Sequence, residues 1–343
     1  MRRWKIGMFT LAFLVGVFFP IWVQAQVTGS GGIAADPAAA AKTVSRVSLE
    51  PFKVYARADH AVAGTSLRNF DSGTIRLRGI PPNATVVQAY LYWSYISGTS
   101  PCPKTAAIEF AGRTIYSSNF CTGGDPCWGG AALCAYYTDV TGLMPGTSSA
   151  VLANKVINGD YLISRAPVSL DRTGQDPWAP TTINFPKVEG ATLFVVYRTT
   201  TTTGTVYLHH SCDLFSGTLD ASLALVPAAP GTISFIKFSR WGDDGQVGAG
   251  TDASPGTSDE QTWFGGPGAC PAGLTQIAGN GSVENQNSDW NGNDGEPLNQ
   301  LWDTHTSTLP SNYLGGGAGN YCVRYVAPLD CINAIGYALT VNP

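Results

Sequence analysis

The strongest constraint on the fold is the way apolar residues recur along the chain. The stretch TVVQAYLYWSYI (residues 85–96) alternates residue by residue, with Val87, Ala89, Leu91, Trp93 and Tyr95 on one face and Val86, Gln88, Tyr90, Tyr92 and Ser94 on the other. Successive side chains of a strand point to opposite sides. One wholly apolar face and one aromatic and polar face therefore describe a central strand packed on a core. Short runs rich in Val, Ile, Thr, Tyr and Phe recur at residues 107–115, 134–140, 159–165, 191–199, 204–211, 219–226, 231–241 and 333–341, separated by Gly, Pro, Asn and Asp. This pattern predicts an all-β fold, a large antiparallel, jelly-roll-like β-sandwich with long disulfide-stapled loops. A helical face is readable only in EPLNQLWDTH (296–305), through Leu298, Leu301 and Trp302.

Residues 1–25 have a different character. Arg2, Arg3 and Lys5 precede an apolar run from Ile6 to Val23 and the small Ala25, the layout of a cleaved secretory signal peptide. The run approaches the length of a membrane span, but Pro20 and Ala25 favour cleavage, which leaves no spanning segment. The expected location is outside the cell or on its surface. Cleavage removes three of the 20 basic side chains and none of the 24 acidic ones, leaving 17 against 24, or −7. That balance argues against nucleic acid or an anionic membrane as a partner, since both require a basic face. Residues 26–45, rich in Gly, Ala and Ser, read as a flexible leader, and residues 46–343 as a single elaborated domain.

All eight cysteines, at 102, 121, 127, 134, 212, 270, 322 and 331, follow that segment. An even number in an exported chain predicts disulfides. No Cys-x-x-Cys occurs, which argues against a zinc ribbon or finger. Proximity predicts that Cys102, Cys121, Cys127 and Cys134 pair among themselves and staple one long loop region; the partners of Cys212, Cys270, Cys322 and Cys331 stay open.

PPNATVVQAYLYWS (81–94) resembles an uncharacterised family of prokaryotic extracellular β-sandwich domains, marked by a proline-led turn before an Ala-Tyr-Leu-Tyr-Trp strand. YTDVTGLM (137–144), NGDYLIS (158–164), GATLFVVYR (190–198), RWGDDGQVG (240–248) and DCINAIGYALTV (330–341) fit the same pattern. The resemblance implies a secreted or surface-associated β-sandwich and carries over no catalytic residue. The cysteine-rich insert, residues 101–134, departs from it.

No Gly-x-Ser-x-Gly elbow and no His-Glu-x-x-His is present. Of the four histidines, His60, His209, His210 and His305, the second and third are neighbours and would face opposite sides of a strand, so His210 and Ser211 make no dyad either. Their expected places are strand ends and loops. A glycan hydrolase needs only two carboxylates across a cleft, for which Glu109, Glu189, Asp243, Asp244, Glu260 and Glu284 are candidates with no distinguished pair. Trp128, Trp178, Trp241, Trp263 and Trp290 sit beside Gly, Pro, Asp or Asn, and offer either sugar-stacking surfaces or plugs for the core.

Calcium takes six to eight oxygen ligands. In SDWNGNDGEP (288–297), Asp289, Asn291 and Asn293 alternate like the first ligands of an EF-type loop, with Asp294 beside them. The match then fails, because Asp294 stands where that loop turns on glycine and Gln300 where it needs a bidentate Glu. An irregular calcium loop remains, as it does at Asp243 and Asp244, against the alternative of polar turns. The leading expectation is a nonenzymatic surface or adhesion-type protein, calcium-stabilised, partnered by surface polysaccharide, other surface proteins or its own copies. The alternative is a secreted carbohydrate-binding module, or a hydrolase built on a carboxylate pair.

Overall fold

The computed structural model describes residues 44–68, 70, 72–124, 129–146, 156–165, 185–225, 233–245, 260–266, 273–279, 302–310 and 319–343. All of them lie within one compact unit, Ala35–Pro343. The strands in chain order are β1 (Val44–Leu49), β2 (Lys53–Ala56), β3 (Asp59–Ser66), β4 (Ser72–Leu77), β5 (Thr85–Ser97), β6 (Thr105–Phe110), β7 (Arg113–Gly123) and β8 (Ala132–Asp139). They continue as β9 (Gly159–Ser164), β10 (Lys187–Arg198), β11 (Thr205–Leu225), β12 (Phe235–Gly245), β13 (Gln261–Gly265), β14 (Thr275–Ala278), β15 (Trp302–Pro310) and β16 (Gly319–Asn342). Among the described residues there is no α-helix and only one helical turn, Thr141–Leu143.

The strands form two eight-stranded sheets packed as a sandwich. Sheet I runs β3-β10-β5-β8-β7-β6-β9-β4; sheet II runs β1-β11-β16-β12-β15, with β2 on β11 and the β13-β14 hairpin on β16. Each sheet doubles over on itself. In sheet I, Ala89, Leu91 and Trp93 of β5 and Leu193 and Val195 of β10 share one core with Ile75 of β4, Ile108 of β6 and Ile163 of β9. In sheet II the long ribbon β11-β16 turns a corner where its register shifts, between His210 and Asp213 and between Phe215 and Gly217. The imidazole of His209 consequently lies 3.1 Å from the carbonyl oxygen of Ala224, fifteen residues along the same strand. A straight strand would separate them by roughly 50 Å.

Four layers with three cores result. The second core fills the fold of sheet II, with Tyr207, Phe238, Tyr337 and Leu339 facing Leu219, Leu223, Val323 and Tyr325. The third is the seam between the sheets, where Tyr90, Tyr92, Phe194 and Val196 of sheet I meet Val206, Leu208, Trp241, Trp302 and Ile335 of sheet II. The two middle layers are therefore covered on both faces, which explains why the last nine residues of β5 and the first eleven of β10 are all buried.

The structure corrects several sequence expectations. Val86, not Val87, shares the face of Ala89, because a register irregularity between Val196 and Tyr197 of the neighbouring strand breaks the alternation. Residues 107–115 are not one strand but the hairpin β6-β7, turned at Ala111 (φ 50°) and Gly112 (φ 77°), the left-handed pair a two-residue hairpin requires. Residues 205–211 and 219–225 of the two expected strands belong to the single bent strand β11. Of the proposed helix 296–305, residues 302–305 are strand: Trp302 seals the seam and pairs with Asp243, so tertiary packing overrides the local helical spacing. Val44 and Ser45, read as leader, pair in parallel with Thr218 and Leu219.

Two glycines admit the seam tryptophans. A Cβ on Gly336 would sit 2.3 Å from the Trp241 ring, and one on Gly190 would sit 2.3 Å from Trp302. Gly336→Ala is expected to displace Trp241 and lower the unfolding free energy by about 1–3 kcal/mol. Urea denaturation reads this as a lower midpoint, and an unchanged midpoint would contradict the packing.

Candidate functional site

The seam opens at one edge on a cluster of rings. His210 of β11 stacks on Phe52 at 4.0 Å between centroids, with Tyr137 at 4.6 Å and Phe120 at 4.8 Å. Its Nε2 shares a 2.9 Å hydrogen bond with the Tyr92 hydroxyl. Phe52, Phe120, Tyr137 and His210 are all partly exposed. Burial, with the neighbouring His209 adding to it, pushes His210 down to about 4, leaving a neutral ring whose Nε2 can accept the Tyr92 proton. Tyr92 is fully buried and its hydroxyl is held far above the usual phenol range, chiefly by desolvation.

Beside this cluster the disulfide Cys121–Cys212 joins β7 of sheet I to β11 of sheet II, with the Cα atoms 6.0 Å apart. This corrects the expected pairing within the cysteine-rich insert. Among the described residues, Cys102–Cys134 is local as expected, while Cys121 crosses the seam to a cysteine 91 residues away. Strand order explains the difference: the end of β7 comes over the β11 corner, Asn333 donates to the Gly124 carbonyl at 3.0 Å, and a Cβ on Gly123 would meet the Cys212 carbonyl at 2.9 Å. Cys322 is also disulfide-bonded. Cys127 and Cys270 lie outside the described residues, as does the side chain of Cys331.

Deeper in the seam the contacts are polar. His60 bonds Thr340 Oγ1 through Nδ1 at 2.5 Å and Ser239 Oγ through Nε2 at 2.8 Å, and Ser239 continues to Thr306 at 2.8 Å. Trp302 donates to Thr192, which bonds Thr304 at 2.8 Å. Asp59 accepts from Lys237 at 2.7 Å and from the Tyr197 hydroxyl at 2.8 Å. Burial pushes the Asp59 carboxyl up, yet Lys237 and His60 outweigh it and the net shift is downward. Arg68 and Glu189, both wholly buried, form an ion pair with Nε to Oε2 at 2.9 Å.

The sequence candidates scatter over this frame. His209 and His210 do point to opposite faces, one into the core of sheet II and the other into the seam. His60 does stand at the start of β3, whereas His209 and His305 lie within β11 and β15, against the expectation of strand ends and loops; all three are buried. Glu109 lies at the end of β6 beside Arg165 and Ser164, whereas Glu189 is wholly buried in β10 and Glu260 is buried next to β13. Glu284 is outside the described residues. Asp243 lies in strand β12, fully buried, rather than in a surface loop, and Asp244 pairs along the backbone with Ile332. Asp289, Asn291, Asn293 and Asp294 lie outside the described residues, as do Trp128, Trp178 and Trp290. Trp241 is not a loop aromatic; it is buried at the seam, the place its large apolar area favours. Trp263 lies in β13, its indole donating to Gln261. Among the described residues no group of three His, Cys, Asp or Glu side chains could hold a metal ion.

The ring cluster was not among the sequence candidates. Its only local signal is adjacency to cysteine: Phe120 precedes Cys121 and His210 stands two before Cys212. The bridge between those cysteines is what brings the rings together.

No protein-family model matches this chain, and no curated protein does. Among solved structures, the infectious bursal disease virus VP2 subviral particle aligns over 90% of this chain and 76% of that chain at 14% identity, with a TM-score of 0.23. The STIV MCP aligns over 84% of this chain and 96% of its own at 12% identity and TM-score 0.20. A chain of the Sputnik virophage aligns over 96% and 90% at 8% identity and TM-score 0.16. Scores this low carry no argument about this chain's fold or function.

The buried histidines make stability depend on pH. His60 is pushed down to about 3, and His209 and His210 to about 4, mainly by desolvation. Unfolded histidine titrates near 6.5, so between pH 6.5 and 4 the unfolded chain holds more protons. Stability is complete above about pH 6.5 and falls as pH drops, by up to ~1.4 kcal/mol per pH unit for each ring. Urea midpoints measured from pH 8 to pH 4 are expected to show this decline. A flat profile would show that the rings are not held neutral.

Proposed function

We propose that the chain is an exported, nonenzymatic structural protein of a cell surface or extracellular matrix. The observation that carries this reading is the Cys121–Cys212 bridge across the seam, which joins the two sheets covalently. The polar side chains around it serve as internal ties: His60 reaches Thr340 and Ser239, and Asp59 reaches Lys237, so the chemistry at the centre of the molecule holds layers together. The signal-like residues 1–25 and the resemblance of residues 81–94 to extracellular sandwich domains support the same reading. Calcium belongs to it through the oxygen spacing of Asp289, Asn291, Asn293 and Asp294. The affinities of extracellular calcium modules, about 10⁻⁴–10⁻³ M, would suffice.

A second reading, saccharide binding, is favoured by the partly exposed aromatic residues Phe52, Phe120 and Tyr137 around His210. Aromatic faces of this kind can stack on a sugar ring.

Fractionating the source cells separates these readings. The structural account expects the protein in insoluble surface material, released by denaturant, with earlier release by chelator if calcium braces it. Release by washing with a neutral oligosaccharide would favour the second reading. Recovery of the protein inside the cell would contradict both.

A further inference from the structure

We infer that a depression at one end of the middle layers, lined by Arg57 and Arg198, binds an acidic saccharide through its carboxylate or sulfate group. It encloses about 420 Å³ between the β2-β3 and β10-β11 turns, and Ala56, Thr199, Thr200 and Thr202 complete its lining. This inference goes beyond the structural reading and does not depend on it.

The turns are knitted to each other, so the depression is built into the backbone. The Ala58 amide donates to the Gly204 carbonyl at 2.8 Å, and Thr202 Oγ1 donates to the carbonyls of Arg57 at 3.3 Å and Thr199 at 3.1 Å. One edge of the Arg198 guanidinium is pinned by a 2.9 Å bond from Nη2 to the Ala56 carbonyl, which sets it beside Arg57 and leaves its other N–H groups for a ligand.

Charge points the same way. Arg68, Arg78, Arg165, Lys237 and Arg324 are each engaged by a carboxylate. Among the described residues, Arg57 and Arg198 have no acidic partner, as is true also of Lys53, Lys104 and Arg113, but Arg57 and Arg198 stand together at one concavity. The nearest acid in sequence, Asp59, is neutralised by Lys237. Two exposed guanidinium groups at one concavity suit an oxyanion, since each can donate a parallel pair of N–H bonds.

Backbone cost adds a further mark. Arg57 adopts φ 53°, a left-handed conformation that favours glycine, so the turn carries an arginine where its geometry asks for none. The volume exceeds what an inorganic oxyanion occupies and lies in the range of sites for larger organic ligands, about 300–1,000 Å³. That suits an oxyanion carried on a larger organic group over the free ion, and the hydroxyls of Thr199, Thr200 and Thr202 beside the two guanidinium groups fit a hydroxyl-rich, sugar-like carrier.

The test is calorimetric titration at fixed ionic strength with an oligoglucuronate, with inorganic sulfate and with a neutral cello-oligosaccharide. Saturable binding of the oligoglucuronate alone is expected, weakening as salt is added. Arg57→Gly fits φ 53° without strain, so it should melt no lower than the parent while losing at least tenfold in affinity. Arg198→Gln should lose affinity similarly. Equal binding of sulfate would overturn the saccharide assignment. Equal binding of the neutral sugar, unchanged affinity in Arg57→Gly, or no binding of the oligoglucuronate would overturn the site.

Discussion

The seam between the two sheets governs the molecule, because each sheet presents there the back of a layer already packed on its front. β5 and β10 on one side, and β12 and β16 on the other, are covered on both faces and bring polar groups as well as apolar ones inside. Trp241 and Trp302 fill the centre, and Gly336 and Gly190 make room for them. The Thr340-His60-Ser239 chain and the Thr192-Thr304 pair supply hydrogen bonds where the packing is not apolar. A strand slipped by one residue would turn these side chains away from their partners and put polar groups into the outer cores, so the seam fixes register as well as contact.

The same burial decides what the titratable groups can do. His60, His209 and His210 are held neutral because water is excluded, and Arg68 and Glu189 are committed to each other through a 2.9 Å bond from Nε to Oε2. Groups so committed are poorly placed to attack or protonate a substrate. The margins are different: rings surround His210 at the seam edge, and the exposed guanidinium groups of Arg57 and Arg198 stand at the strand turns. The frame joined by Cys121–Cys212 is bordered by these patches.

Strand-forming segments were legible in the sequence because their signal is local. Alternation and β-branched or aromatic enrichment locate β5, β8, β9, β10 and β12 to within a few residues. Features that depend on strands distant in the chain were not legible. The burial of the Tyr90 and Tyr92 face becomes intelligible only when sheet II covers it, and the change of face at Val86 depends on a register shift against β10. The β6-β7 hairpin was hidden by Ala111-Gly112, a turn without the Asn or Asp that usually precedes glycine there. Trp302 carries a helical spacing in sequence, yet its pairing with Asp243 and its place against Gly190 make it strand. Of the site, the opposed directions of His209 and His210 could be read in advance, whereas the ring cluster could not, since it depends on a disulfide spanning 91 residues.

The central claim is that the seam makes one cooperative body of two folded-over sheets. Native-state hydrogen exchange tests it most directly, by comparing the core strands of the two halves, such as the amides of Leu91 in β5 and Val323 in β16. The account predicts that both exchange only through global unfolding, with the same opening free energy and the same dependence on denaturant. Opening of either half at a free energy several kcal/mol below the other would contradict it.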